Sequence, residues 1–119
     1  MTTHQLHVFS NPVDGREDEY NQWYDEIHVR EVLQVPGFVS AQRFRVGAEL
    51  IGSSPHRYLA IYEFQADDPA VALAELGRAA SSMDMNEAFD QSTAVAIAFT
   101  PIGERMMADA PTRTVTAQT

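Results

Sequence analysis

The chain has 119 residues, a length for one domain with a real core, and its 45% hydrophobic and 21% charged residues are those of a globular protein. Seventeen acidic against eight basic residues give a formal net charge of −9, which repels phosphate backbones and anionic bilayers, so neither nucleic acid nor a membrane is an expected partner. The absence of cysteine excludes disulfides, zinc–thiolate sites and thiol nucleophiles.

The N-terminal MTTHQLHVF has neither the basic start nor the apolar run of a secretory leader, and no segment approaches the roughly 20 apolar residues of a membrane span. A cytoplasmic location is the expectation. Gln5 to Ser10 reads as a first strand, closed by the turn residues of Asn11-Pro12-Val13-Asp14-Gly15. Asp14 is a candidate cap for the helix that follows, and Glu17, Asp18 and Glu19 place negative charge on its first turn, where the helix dipole favours it.

The spacing predicts that this helix runs over 16–33. At about 100° per residue, Tyr20, Trp23, Tyr24 and Ile27 form one stripe, with His28 at its edge one turn beyond Tyr24. Pro36 biases Val35 away from helix and Gly37 permits a sharp turn. A second strand follows over 38–46, with Phe38, Ser40, Gln42, Phe44 and Val46 on one face and Val39, Ala41, Arg43 and Arg45 on the other. Residues 47–56 form a long hairpin loop, and 57–65 a third strand whose faces are Tyr58, Ala60, Tyr62 and Phe64 against Leu59, Ile61 and Glu63. Asp67-Asp68-Pro69 starts a second helix that continues to about Ser82. Residues 81–91 have weak periodicity and read as loop or a short extra helix; 93–102 read as a fourth strand alternating Ala94, Ala96 and Ala98 with Val95, Ile97 and Phe99. The order is β-α-β-β-α-β, an α+β ferredoxin-like domain over 1–103 with a four-stranded antiparallel sheet and both helices on one face. Residues 104–119 are expected to be a flexible tail or an arm on a neighbour. The strands are apolar on both parities, so the uncovered sheet face is expected to pack against a second copy, making a homodimer.

His28 is the first candidate for chemistry. An imidazole beside an aromatic layer titrates near neutral pH and can move a proton; a core-edge ring tied to a backbone carbonyl is the alternative, and Glu31 offers a surface partner. His7 shares a face of the first strand with Phe9 and is expected to point inward, beneath the helix. His4 and His56, near a terminus and in a loop, are expected to be exposed. Tyr20 with Tyr24, and Tyr58 with Tyr62, present phenols that need partners when buried, and a bound carbonyl or hydroxyl would serve. The alanines of the fourth strand, Ala96 among them, leave space for a pocket or let a helix approach closely. The four histidines make no HxH or HxxxH pair, and neither a phosphate-binding glycine loop nor a GxSxG elbow is present, so no metal or nucleotide is expected.

The segments VFSNPVDGREDEYNQWYDEIH, VPGFVSAQRF and YLAIYEF, and above all the WYDxxH element followed by VPGF, resemble the EthD-like branch of the dimeric α/β-barrel superfamily over Gln5 to Phe64. The resemblance implies a protomer whose sheet packs on that of a second subunit, a pocket between sheet and helices, and a pocket-facing role for His28. Relatives often carry proline two residues after that histidine; here Arg30 stands there. Similar proteins include polyketide cyclases, muconolactone-type isomerases, cofactor-free monooxygenases and haem-degrading enzymes, and fold alone does not choose among them.

The leading expectation is a cofactor-independent enzyme acting by general acid/base chemistry on a hydrophobic carbonyl or phenolic metabolite, as a cyclase, dehydratase, decarboxylase or isomerase. His28 is its acid/base, and Tyr24, Tyr58 or Tyr62 hold the oxygen that gains charge. Trp23, Tyr20, His7, Phe9 and Ala96 shape the substrate pocket. A non-catalytic small-molecule-binding dimer is the alternative. A monooxygenase, cofactor-free or with haem on His28, comes third.

Overall fold

Nine residues of alternating burial, Thr2–Ser10, form β1 at the centre of the molecule. The computed structural model describes residues 1–109, so most of the expected tail lies outside the described residues; 104–109 have no regular secondary structure. After β1 come α1 (Glu17–Trp23), a π-helical turn (Tyr24–His28) and α2 (Val29–Val32), three segments of one continuous rod. Then follow β2 (Phe38–Arg45), β3 (Tyr58–Ala66), α3 (Pro69–Ala80) and β4 (Val95–Phe99). The sheet has the order β2-β3-β1-β4 with every pairing antiparallel, which is the ferredoxin-like α+β arrangement. Among the described residues no helix is long and apolar enough to cross a membrane.

The core lies between the sheet and the helices. β3 supplies Tyr58, Ala60, Tyr62 and Phe64, the parity expected of it, and the first helical rod adds Tyr20, Trp23, Tyr24 and Val32. α3 starts where Asp68 accepts a hydrogen bond from the Ala70 amide at 2.9 Å, ahead of Pro69, and packs Ala72, Leu73, Leu76 and Ala79 on the same core. Residues 81–91 form a loop, not a helix. It is held to the rod by Trp23 Nε1 donating to the Asp84 carbonyl at 2.7 Å, and to the first loop by the Val13 amide donating to the Ala88 carbonyl at 2.7 Å.

Three expectations of parity or extent are overturned. In β1, His4, Leu6 and Ser10 are buried toward the helices, which puts His7 and Phe9 on the opposite, open face beside Ile61, Ile97, Leu59 and Val95. His4, expected at the surface, is buried because its ring has two partners: Nδ1 lies 3.0 Å from Thr100 Oγ1 and Nε2 3.0 Å from the Ala66 carbonyl. In β2 a bulge between Phe38 and Ser40 absorbs one residue. Phe38 faces the core, and after the bulge Ala41 and Arg43, opposite Tyr62 and Ala60, face it too, while Gln42 and Phe44 turn outward opposite Ile61 and Leu59. β4 spans only five residues: Ser92 and Thr93 are drawn into a turn by the Asp90 carboxylate, and Pro101 has no amide to donate. Its alanines do take the helix side, with Ala98 opposite Leu6 and Ala96 opposite Val8, but Ala96 at this sheet edge is exposed.

The chain enters β2 through Gly37, whose φ of +94° is the left-handed region and whose missing Cβ would lie 3.0 Å from the Gln65 carbonyl oxygen. Its own carbonyl accepts from the Gln65 amide at 2.8 Å, so the strand neighbour cannot withdraw without losing that bond. We expect Gly37→Ala to lower stability by about 1–3 kcal/mol. Gly77→Ala, in α3 with open space around it, should raise stability by up to about 1 kcal/mol; the two urea midpoints should move in opposite directions.

Candidate functional site

An α-helix continued through Trp23 would leave Ile27 on the aromatic stripe and rotate Val32 away from it. The π-turn changes this. The Val29 amide donates to the Tyr24 carbonyl, five residues back, and the extra residue in the turn retards all that follows by about 100°. Ile27 is accordingly 39% exposed and Val32 is buried. His28 is brought over Trp23, ring stacked on ring at 4.7 Å and 18°, with its edge to Tyr24 at 5.3 Å. Its side chain is 13% exposed.

Burial lowers the pKa of His28, and Glu31 opposes that shift by favouring the charged form. The ring is therefore neutral at pH 7. Its Nδ1 lies 3.6 Å from Glu31 Oε1, within ion-pair reach but too far for a hydrogen bond, and both atoms are buried with no hydrogen-bond partner among the described residues. Glu31 is itself held in place, since Oε2 accepts from the Asp84 amide at 2.9 Å.

The four tyrosines divide into two pairs. Tyr20 Oη lies 2.6 Å from Ser10 Oγ, and Tyr58 Oη donates to the Glu17 carboxylate and accepts from Asn21 Nδ2 at 3.2 Å, so both hydroxyls are satisfied. The hydroxyls of Tyr24 and Tyr62 are buried close to each other, and neither completes a hydrogen bond of normal geometry among the described residues. Burial raises the pKa of each far above the ordinary phenol range, and charge on a neighbouring tyrosine raises it further, so both phenols keep their protons and are donors.

One residue of the site was not anticipated. Arg43, brought inward by the β2 bulge, lays its guanidinium 4.4 Å from the centre of the Tyr24 ring and 5.4 and 5.5 Å from those of Tyr20 and Tyr58. It donates to Asn21 Oδ1 at 2.7 Å and Asp25 Oδ1 at 2.8 Å. A cleft of about 290 Å³ opens here, lined by Asp25, Arg43, Phe44, Arg45 and Tyr58. The one sequence signal that pointed to it was a pair of arginines flanking Phe44 in an acidic chain. Thus the structure brings His28, Trp23, Tyr20, Tyr24, Tyr58 and Tyr62 together, excludes His7 and Phe9 by strand parity, and leaves Ala96 exposed at the sheet edge. Among the described residues no group of three or more histidine, aspartate or glutamate side chains is arranged to hold a metal ion.

A candidate monooxygenase from Shewanella loihica PV-4 superposes with a TM-score of 0.57 at 12% identity, over 87% of this chain and 97% of that one. An ethyl tert-butyl ether degradation (EthD) family protein from Bacillus halodurans C-125 gives 0.56 at 15% identity, over 89% of this chain and all of the other (100%). The chain has the EthD-type fold. HapK from Hahella chejuensis superposes less closely, with a TM-score of 0.46 at 18% identity. No protein-family model and no curated protein sequence matches the chain. On this EthD-type fold the residues of WYDxxH occupy the end of α1 and the π-turn, and VPGF the turn into β2.

The lowered pKa of His28 has a consequence for stability. Between the unfolded value, about 6.5, and the lower folded one, the unfolded chain binds more protons, so stability is lost as pH falls through this window and is unaffected above it. His7, also lowered by burial, titrates alike in parent and variant. His28→Gln should therefore flatten the loss of stability just below pH 6.5, read as urea midpoints for the two proteins between pH 5 and 8.

Proposed function

We propose that the chain is a cofactor-independent member of the EthD-like group that uses general acid/base chemistry on a hydrophobic carbonyl or phenolic compound, in a cyclisation, dehydration, decarboxylation or isomerisation. The observation that carries this reading is two neighbouring pairs of buried polar groups, His28 Nδ1 with Glu31 Oε1 and Tyr24 Oη with Tyr62 Oη, none of which completes a hydrogen bond of normal geometry among the described residues. Each unsatisfied buried group costs about 1–3 kcal/mol, and a core serving stability alone would replace them with apolar atoms. A substrate oxygen is the partner the two phenols lack.

In this reading the Glu31 carboxylate, 3.6 Å from Nδ1, favours the proton on that nitrogen by its charge rather than by a hydrogen bond, which leaves the lone pair on Nε2 as the base. The neutral ring takes a proton from carbon or hydroxyl of the substrate. Negative charge then develops on the substrate oxygen, where Tyr24 and Tyr62 donate to it, and the imidazolium returns the proton to the product. Trp23, Tyr20 and Tyr58 exclude water around the reacting atoms.

We expect His28→Gln to lower turnover by roughly 10²- to 10⁴-fold while the variant folds. Tyr62→Phe separates the two roles of a buried phenol: it should lower turnover and leave stability equal or higher, because it removes an unpaired hydroxyl. Both are read by incubating parent and variants with a panel of aromatic β-ketones and phenols and following product by chromatography, alongside urea unfolding. A second reading is a non-catalytic small-molecule-binding dimer; saturable binding without product would select it.

The open sheet face supports a homodimer. Val39, Phe44, Val95, Ile97 and Phe99 are exposed there, beside the partly buried Phe9 and Ile61, a contiguous apolar surface that a lone protomer leaves wet. Light scattering should give the mass of two chains, and Ile97→Glu, at the centre of β4, should give one.

A further inference from the structure

Arg43 is placed as no purely structural arginine needs to be. Its side chain is 14% exposed, its guanidinium plane rests on three tyrosine rings, and its N–H groups reach Asn21 from within the site and Asp25 at its rim. Asp25 is 62% exposed, so the ion pair joins a fixed cation to a carboxylate largely in water. The Asp25 end of the pair stands in water, where another anion can compete with it for the guanidinium. Arg45 lines the same cleft, so a chain of net charge −9 sets two arginines against one aspartate there. On the inner side of Arg43 lies the ring of Tyr24, whose hydroxyl has no partner. The cleft of about 290 Å³ has Arg43, Arg45 and the rings of Phe44 and Tyr58 on its walls, so an acidic ligand in it meets a guanidinium and aromatic surface together.

We infer that Arg43 is an anchor for a substrate carboxylate, and that Asp25 occupies its place in the unliganded protein. The inference rests on the proposed small-molecule site and narrows its substrate class to aromatic or β-keto acids. The guanidinium is suited to this role, since its planar fork matches a carboxylate with two parallel hydrogen bonds and stacking on tyrosine holds the fork in place. Exchange of Asp25 for a substrate carboxylate conserves the charge of the cleft, and the aromatic body of the ligand then lies toward Phe44 and Tyr58 on its walls.

The test is titration of the full-length protein with 1-hydroxy-2-naphthoate and, separately, with 1-naphthol, following the fluorescence of Trp23. The acid should bind roughly 10- to 100-fold tighter than the neutral phenol, the worth of a charge-assisted pair. Arg43→Gln should abolish that preference while 1-naphthol still binds, and Asp25→Asn should strengthen binding of the acid by removing its competitor. Arg43→Lys keeps the charge but not the fork and should retain only part of the preference; its unfolding midpoint shows that the cage survives. Equal binding of acid and phenol to the parent, or a preference that persists in Arg43→Gln, overturns the anchor and leaves the pocket standing. Failure of both compounds to bind the parent overturns the pocket reading and the anchor with it.

Discussion

The π-turn at Tyr24–His28 is the constraint on which the site depends. A helix of uniform pitch can present Tyr20, Trp23 and Tyr24 to the sheet or His28 and Val32, but not both sets, because the second lies about a quarter-turn round the cylinder. One additional residue in one turn lets the same rod bury both. The cost is a weaker hydrogen-bond ladder at that turn, and single π-turns within α-helices are frequent at functional sites. Here the side chain is His28, laid on Trp23, and the loop at Asp84 completes the arrangement by fixing both Trp23 Nε1 and Glu31 Oε2 from a single residue.

Much of the fold was legible because it follows from period and punctuation. The β3 alternation of aromatics with Leu59 and Ile61 fixed its parity correctly, Asp68-Pro69 marked the start of α3, and Pro36-Gly37 marked the turn into β2. What failed were features where one residue shifts a phase. The β2 bulge and the π-turn each insert a residue without a compositional mark, so the inward turn of Arg43 and the outward turn of Ile27 could not be read from a regular period. β1 failed for another reason. Both of its faces carry a histidine and apolar residues, and only the pairing of His4 with Thr100 and Ala66, distant in sequence, shows which face is inside.

The site was legible as a set of residue types more than as an arrangement. WYDxxH located the histidine and two rings, Trp23 and Tyr24, in the right layer, yet gave no means of ranking the tyrosines. That ranking comes from long-range partners: Ser10, Glu17 and Asn21 satisfy Tyr20 and Tyr58, and no described residue does so for Tyr24 or Tyr62. The same distinction separates roles within one aromatic cluster. Satisfied phenols hold the rod to the sheet; unsatisfied ones are available to something else.

Electrostatics narrow the chemistry that this arrangement can support. Burial keeps the phenols of Tyr24 and Tyr62 protonated, so neither can begin a reaction as a base, and it keeps His28 neutral, so the imidazole cannot begin one as an acid. On the proposed reading, a cyclisation, dehydration or isomerisation run by these groups starts with proton transfer from substrate to His28, whereas a decarboxylation reaches the same anion by loss of carbon dioxide. The substrate then becomes an anion in a site of low polarity, where hydrogen-bond donors act most strongly on the developing charge. Arg43, resting on the far face of the Tyr24 ring, adds a fixed positive charge that favours the anion without supplying a proton of its own. On the proposed reading the order of events is formation of the anion first, its stabilisation as an enolate or phenolate next, and return of a proton last.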